Sequence, residues 1–190
     1  MNLSAAGVAA NNAEDPKHRP TPELSGSPPK ALLPWLFDTG SLTERMRSHC
    51  GVDFRLDFLG RRYARPLAPE VHTLELPPRR YALIRQVLLC CGQAPWVFAR
   101  SVMPFPTLRG ANRRIARLGK RPLGDVLFSN ADLRRCAISI SPLQRGSPMH
   151  DMCVRALARD PGRARLRQSL YRIHTKPRLI SEVFLSEIGF

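Results

Sequence analysis

Tyr81-Ala82-Leu83-Ile84-Arg85-Gln86-Val87-Leu88-Leu89-Cys90 and Trp96-Val97-Phe98-Ala99-Arg100-Ser101-Val102-Met103 are two apolar runs separated by Cys91-Gly92-Gln93-Ala94-Pro95. The runs suit strands, and the Gly and Pro between them predict a turn of several residues, so the pair reads as an antiparallel hairpin. Side chains alternate across a strand. Tyr81, Leu83, Arg85, Val87 and Leu89 therefore share one face, and Trp96, Phe98, Arg100 and Val102 share one in the second run. Each face is apolar except for a single arginine.

Further strands are expected on both sides of this hairpin. Phe54 to Leu59 and Val71 to Leu76 alternate before it. Leu170 to Ile173 and Leu179 to Leu185 follow it, placed around Thr175-Lys176-Pro177. In the last of these, Ile180, Glu182 and Phe184 share a face, so a carboxylate sits between apolar neighbours.

Helices are marked by their ends. Ser41-Leu42-Thr43-Glu44 has the form of a capping box, and a helix from Leu42 to His49 is predicted, with Gly51 past its last turn. Gly110 to Leu118 has helical spacing, with Arg113, Arg114 and Arg117 turned outward. Pro122-Leu123-Gly124 opens a short helical stretch through Phe128. Between Arg134 and Arg165 a strand is expected at Cys136 to Ile140. Ser141-Pro142 and Gly146-Ser147-Pro148 then break the pattern, which predicts a surface loop or lid edge. The mix is α+β: a single antiparallel sheet with a few helices packed on one side. Residues 1–30, rich in proline and small residues, read as a disordered leader, and residues 31–190 as one domain.

Composition narrows the class. The chain has 190 residues, 30 Lys+Arg against 15 Asp+Glu, and a formal charge of +15. At 43% hydrophobic it has enough apolar residues for a core. No apolar run reaches the roughly 18 residues of a membrane span. No signal peptide is expected, and the chain is read as a cytoplasmic monomer. Cys50, Cys90, Cys91, Cys136 and Cys153 are odd in number, two of them adjacent, and are read as reduced thiols without zinc spacing. The positive charge predicts acidic partners. No RNA motif, zinc finger or recognition helix points to a specific nucleic acid.

Arg85, Arg100 and Glu182 carry the chemical signal. A buried charge needs a partner. They are either buried Arg–Glu pairs that hold strands together, solvent-facing after all, or parts of an enclosed anion site. Arginine suits the anion site because its planar fork takes a carboxylate through two parallel hydrogen bonds. From Leu76 to Gly124 there are ten Lys or Arg and no Asp or Glu, so this segment cannot pair its own cations.

These residues also carry a family resemblance. Arg80 to Cys90, and Pro95-Trp96-Val97-Phe98-Ala99-Arg100 with Pro104, resemble the central hairpin of bacterial chorismate–pyruvate lyases. Leu118-Gly119-Lys120-Arg121-Pro122-Leu123-Gly124 with Leu127-Phe128 is similar to that family's L-G-x-x-P-L-G-x-x-L-F stretch. Lys176-Pro177 with Leu179, Ser181-Glu182-Val183-Phe184-Leu185 resembles its last strand. Pro34-Trp35-Leu36 and Ser41-Leu42-Thr43 fit its N-terminal part.

The resemblance implies a fold with an enclosed ligand site and conversion of chorismate to 4-hydroxybenzoate and pyruvate, at the entry to ubiquinone biosynthesis. It implies no metal and no organic cofactor. The family's binding arginine falls on Arg85 and its glutamate on Glu182, with backbone contacts on Leu42 and Leu123. The family usually has Met where this chain has Leu42. Arg100 is added from the sequence pattern, either as a contact for the enolpyruvyl carboxylate or as a support behind the residues that touch the ligand. Leu42 and Leu123 each open a helix, where free N–H groups favour a carboxylate. Arg85 and these two ends are expected to hold the ring carboxylate, with Glu182 at the ring hydroxyl, either as a general acid or base or only to position it. No Ser-His-Asp or Cys-His constellation suggests covalent catalysis. A competing expectation is a non-catalytic small-anion-binding module of the same fold, as in effector domains of transcription regulators.

Overall fold

In a computed structural model, residues 22–108, 115 and 118–188 are described. The expected hairpin is the centre of the sheet. β3 (Ala82–Cys91) and β4 (Ala94–Pro104) pair antiparallel around Gly92-Gln93. The connection is shorter than expected because Ala94 and Pro95 join β4. Gly92 supplies the left-handed backbone there, with φ +58°. A register shift at Leu89/Cys90 lets both Trp96 and Val97 enter the same apolar cluster. Beyond it, Arg85 lies opposite Ser101 and Arg100 opposite Gln86. The two arginines therefore project from opposite faces of the sheet.

The remaining strands are β1 (Glu23–Leu24), β2 (Phe54–Ala64), β5 (Leu133–Pro142), β6 (Arg165–Ile173) and β7 (Lys176–Phe184). The seven strands run in the order β1-β5-β6-β7-β4-β3-β2. All pairings are antiparallel except the two-residue β1–β5 contact. That contact places ordered chain before Ala31.

Helices cover both faces, not one. α1 (Leu33–Leu36) and α2 (Leu42–Cys50) pack on Val87, Leu89, Val97 and Phe184. α4 (Leu123–Leu127) covers Leu83, Met103 and Ile173 beside them. On the opposite face, α5 (Pro148–Leu157) packs Met149 and Cys153 on Leu88, Phe98 and Val183. α3 (Ala68–Thr73) leads Leu74 onto Ile84, Val102 and Leu179. The reason is visible in β3 and β4, which are buried at nearly every position and need cover on both sides.

Two expected elements change for one reason: proline starts a helix where it was read otherwise. The strand expected at Val71 to Leu76 is α3, which has Pro69 in its first turn, and Glu70 accepts from the Leu67 N–H at 2.8 Å. The loop expected after Ser141 contains α5, with Pro148 at its start and Ser147 Oγ accepting from the His150 N–H at 3.2 Å. The α2 prediction agrees: Ser41 caps it by accepting from Glu44, and Gly51 ends it. Arg113, Arg114 and Arg117 lie outside the described residues, whereas Ile115 and Leu118 are buried against α4.

The cysteine expectation is also corrected. Cys50, at the end of α2, forms a disulfide with Cys91, at the end of β3, with a Cα–Cα distance of 5.6 Å. Neighbouring strand residues face opposite ways, so Cys91 meets α2 while Cys90 enters the α5 cluster. Burial pushes the free Cys90 thiol up to about 11 and Cys153 to about 12, so neither is poised as a nucleophile.

Candidate functional site

On the sheet face covered by α2 and α4, a narrow cavity of about 60 Å³ is bordered by Leu42, Arg85, Arg100, Leu123 and Glu182. Leu42, Arg85, Leu123 and Glu182 therefore meet at one place, and Arg100 borders it from its position in β4.

Arg85 reaches it from β3. It is 5% exposed and donates from Nη2 to the carbonyls of Arg121 at 2.8 Å and Gly119 at 3.3 Å. The Phe58 ring lies under the guanidinium, 5.5 Å from centroid to carbon. Among the described residues no carboxylate pairs with it, and its Nε has no acceptor. Burial lowers its pKa to about 10. An arginine held in this way is short of an anion.

The ends of α2 and α4 meet beside it. Gly124 packs so closely on Ser41 that a Cβ there would stand 2.6 Å from the Ser41 hydroxyl. This approach brings the N-terminal backbone of both helices, at Leu42 and Leu123, to the same rim. Both helix starts were legible in the sequence. Their convergence depends on a glycine that the sequence reading used only as a helix signal.

Glu182, two strands away on β7, is 8% exposed. Its Oε2 accepts from Arg167 Nε at 2.7 Å. Arg167, on β6, also donates from Nη1 to the Trp35 carbonyl at 2.8 Å, which ties the pair to α1. Burial pulls the Arg167 pKa down, but Glu182, with Tyr171 and Asp38, more than offsets this, and the net shift is upward. Arg85 and Glu182 thus stand at opposite ends of one floor, separated by Ala99, Ser101 and Ile180.

Arg100 is corrected. Its Nε and Nη2 donate to Oε1 and Oε2 of Glu70 at 2.6 and 2.9 Å, with both side chains almost fully buried. The pair locks α3 to the far face of the sheet. Arg100 borders the cavity by its place in β4, but its charge is neutralised on the other side. Its partner comes from just outside the acid-free segment.

Sequence reasoning missed Arg167 and Tyr171. Tyr171 lines the cavity, stacks edge-on with Phe128 and accepts from Arg135 Nε at 2.8 Å. Both stand on β6, whose alternation of Arg167, Ser169 and Tyr171 was the signal available.

The family described as "Chorismate lyase" matches residues 18–189. The "Probable chorismate pyruvate-lyase" of Methylococcus capsulatus is 38% identical over 156 residues, 81% of this chain and 94% of that protein. The protein of the same name from Thiobacillus denitrificans is 40% identical, covering 83% of each chain. That from Aromatoleum aromaticum is 37% identical over 90% of this chain and 91% of its own. Among solved structures, the effector domain of PhnF from Mycobacterium smegmatis superposes with a TM-score of 0.56 at 14% identity, covering 80% of this chain and 92% of that one. The C-terminal domain of the histidine utilization repressor from Pseudomonas syringae gives 0.55 at 10% identity, covering 70% and 92%. These structures share the fold alone, whereas the sequence relatives and the family match settle descent: the chain belongs to the chorismate lyase family.

Proposed function

We propose that this protein eliminates pyruvate from chorismate and leaves 4-hydroxybenzoate, the first step of ubiquinone biosynthesis, in the cytoplasm. The observation that carries the reading is Arg85, a buried cation without a carboxylate partner among the described residues, facing a cavity with Glu182 at its other end. Arg85 holds the ring carboxylate, aided by the backbone at Leu42 and Leu123. Glu182 Oε1 accepts from the ring hydroxyl.

Chorismate carries its own driving force. The ether C–O bond breaks with its electron pair leaving on the enolpyruvyl oxygen. Loss of the proton on the ring carbon that bears the hydroxyl then makes the ring aromatic. That proton ends on the methylene carbon of the departing fragment, which becomes the methyl group of pyruvate. The protein has to orient the substrate, exclude water and stabilise the departing oxygen. The ion pair with Arg167 favours a positioning role for Glu182, because its charge is already engaged.

The test is incubation with chorismate, following pyruvate release and 4-hydroxybenzoate absorbance. Turnover by wild type and loss of most product affinity in Arg85→Ala are expected. Near-normal turnover by Arg85→Ala overturns the site. Folded wild type without turnover favours the non-catalytic anion-binding module suggested by the effector-domain fold.

A further inference from the structure

Arg178 is the most anomalous side chain among the described residues. It is fully buried on β7, and none of its three guanidinium nitrogens has a hydrogen-bond partner. It shares a face with Ile180 and Glu182 and lies opposite Tyr171 on β6. Ile180, Glu182 and Tyr171 all line the cavity, so Arg178 stands immediately behind its wall. The apolar cluster of Met103, Ile173 and Ile180 lies on the same face.

Arg178 is not alone. Among the described residues the Oγ atoms of Ser101 and Ser169 are buried without hydrogen-bond partners, as is Arg85 Nε. Arg85 pairs with Ser101, Ser101 with Ile180 and Ile180 with Ser169, in one row across the sheet. Arg178 stands one step along β7 from that row. Buried polar groups in folded proteins nearly always have a protein, water or ligand partner, so a cluster of such groups on one face suits a polar ligand. Arg85 and Arg178 stand on strands separated by β4 and offset by one step, roughly 12 Å apart at Cα. Two such cations suit a small dianion lying between them, with one carboxylate on each.

We propose that Arg178, with the hydroxyls of Ser101 and Ser169, forms a second carboxylate subsite that holds the side-chain carboxylate of a dianionic substrate while Arg85 holds the ring carboxylate. The proposal rests on the lyase reading and deepens it. In chorismate the second carboxylate belongs to the enolpyruvyl group, and 4-hydroxybenzoate lacks it. The subsite therefore discriminates substrate from product, because only the substrate fills it. Burial lowers the Arg178 pKa to about 10, in line with a cation short of its counter-ion.

The test uses full-length Arg178→Met and Arg178→Lys. The subsite predicts a KM for chorismate at least tenfold higher in Arg178→Met, partial recovery in Arg178→Lys, and 4-hydroxybenzoate affinity within twofold of wild type by calorimetry. It also predicts a raised unfolding midpoint for ligand-free Arg178→Met, since an unpartnered buried charge is gone. An unchanged KM overturns the proposal. So does equal weakening of both ligands with a lowered midpoint, the signature of a structural arginine. If wild type releases no pyruvate, the lyase reading falls. Intact chorismate is then titrated directly, and the same ratio of affinities still decides the subsite.

Discussion

Glu70→Gln separates an arginine that holds the fold from one that holds the ligand. The substitution keeps the shape of the side chain and removes its charge. Arg100 and Glu70 are 2% and 1% exposed and joined by two short hydrogen bonds. Removing one partner of a buried ion pair costs about 3–5 kcal/mol, because the other charge stays buried and uncompensated. The substituted amide still accepts one hydrogen bond from Arg100, which places the expected loss near 3 kcal/mol. For a domain of this size that is a fall in Tm of roughly 6–12 °C. Arg100→Met with Glu70→Leu removes both charges together and should be close to neutral, or more stable than wild type. Thermal and urea unfolding measure both variants, and calorimetry with 4-hydroxybenzoate follows the site. Product affinity should be retained in the double variant, since Arg100 spends its charge on the face away from Arg85. A Tm within about 2 °C of wild type for Glu70→Gln, or a tenfold loss of affinity in the double variant, would refute this placement.

Arg85→Met should weaken product binding yet stabilise the empty protein by up to about 3 kcal/mol, because burial alone holds Arg85 at about 10 instead of 12.5. The unfolded chain binds more protons between those values. The penalty is thus fully present below about pH 10 and fades only above it, so urea unfolding at pH 7 reads it whole. Reduction of Cys50–Cys91, or Cys91→Ser, opens a 41-residue loop and should cost up to about 4 kcal/mol by the loop-entropy relation, read as a lower urea midpoint. Gly124→Ala puts a Cβ against the Ser41 hydroxyl that caps α2. A raised product Kd with little change in Tm is expected, and an unchanged Kd would show that the approach of the two helices is not needed for binding.

The sequence by itself determined the α+β class, the central hairpin, the capped start of α2 and the faces carrying Arg85 and Glu182. These are local matters: strand alternation, turn residues and helix caps act within a few positions. Only the tertiary structure decided which charges pair. Arg85 and Arg100 look alike in sequence, each the one cation on an apolar strand face. The hairpin register sends them to opposite sides, where Arg100 meets Glu70 and Arg85 meets a cavity. Arg167, Arg178 and the Cys50–Cys91 bond were hidden for the same reason. Each takes its meaning from a neighbour that the sheet order and helix packing bring up from far along the chain, and local patterns do not encode such long-range contacts.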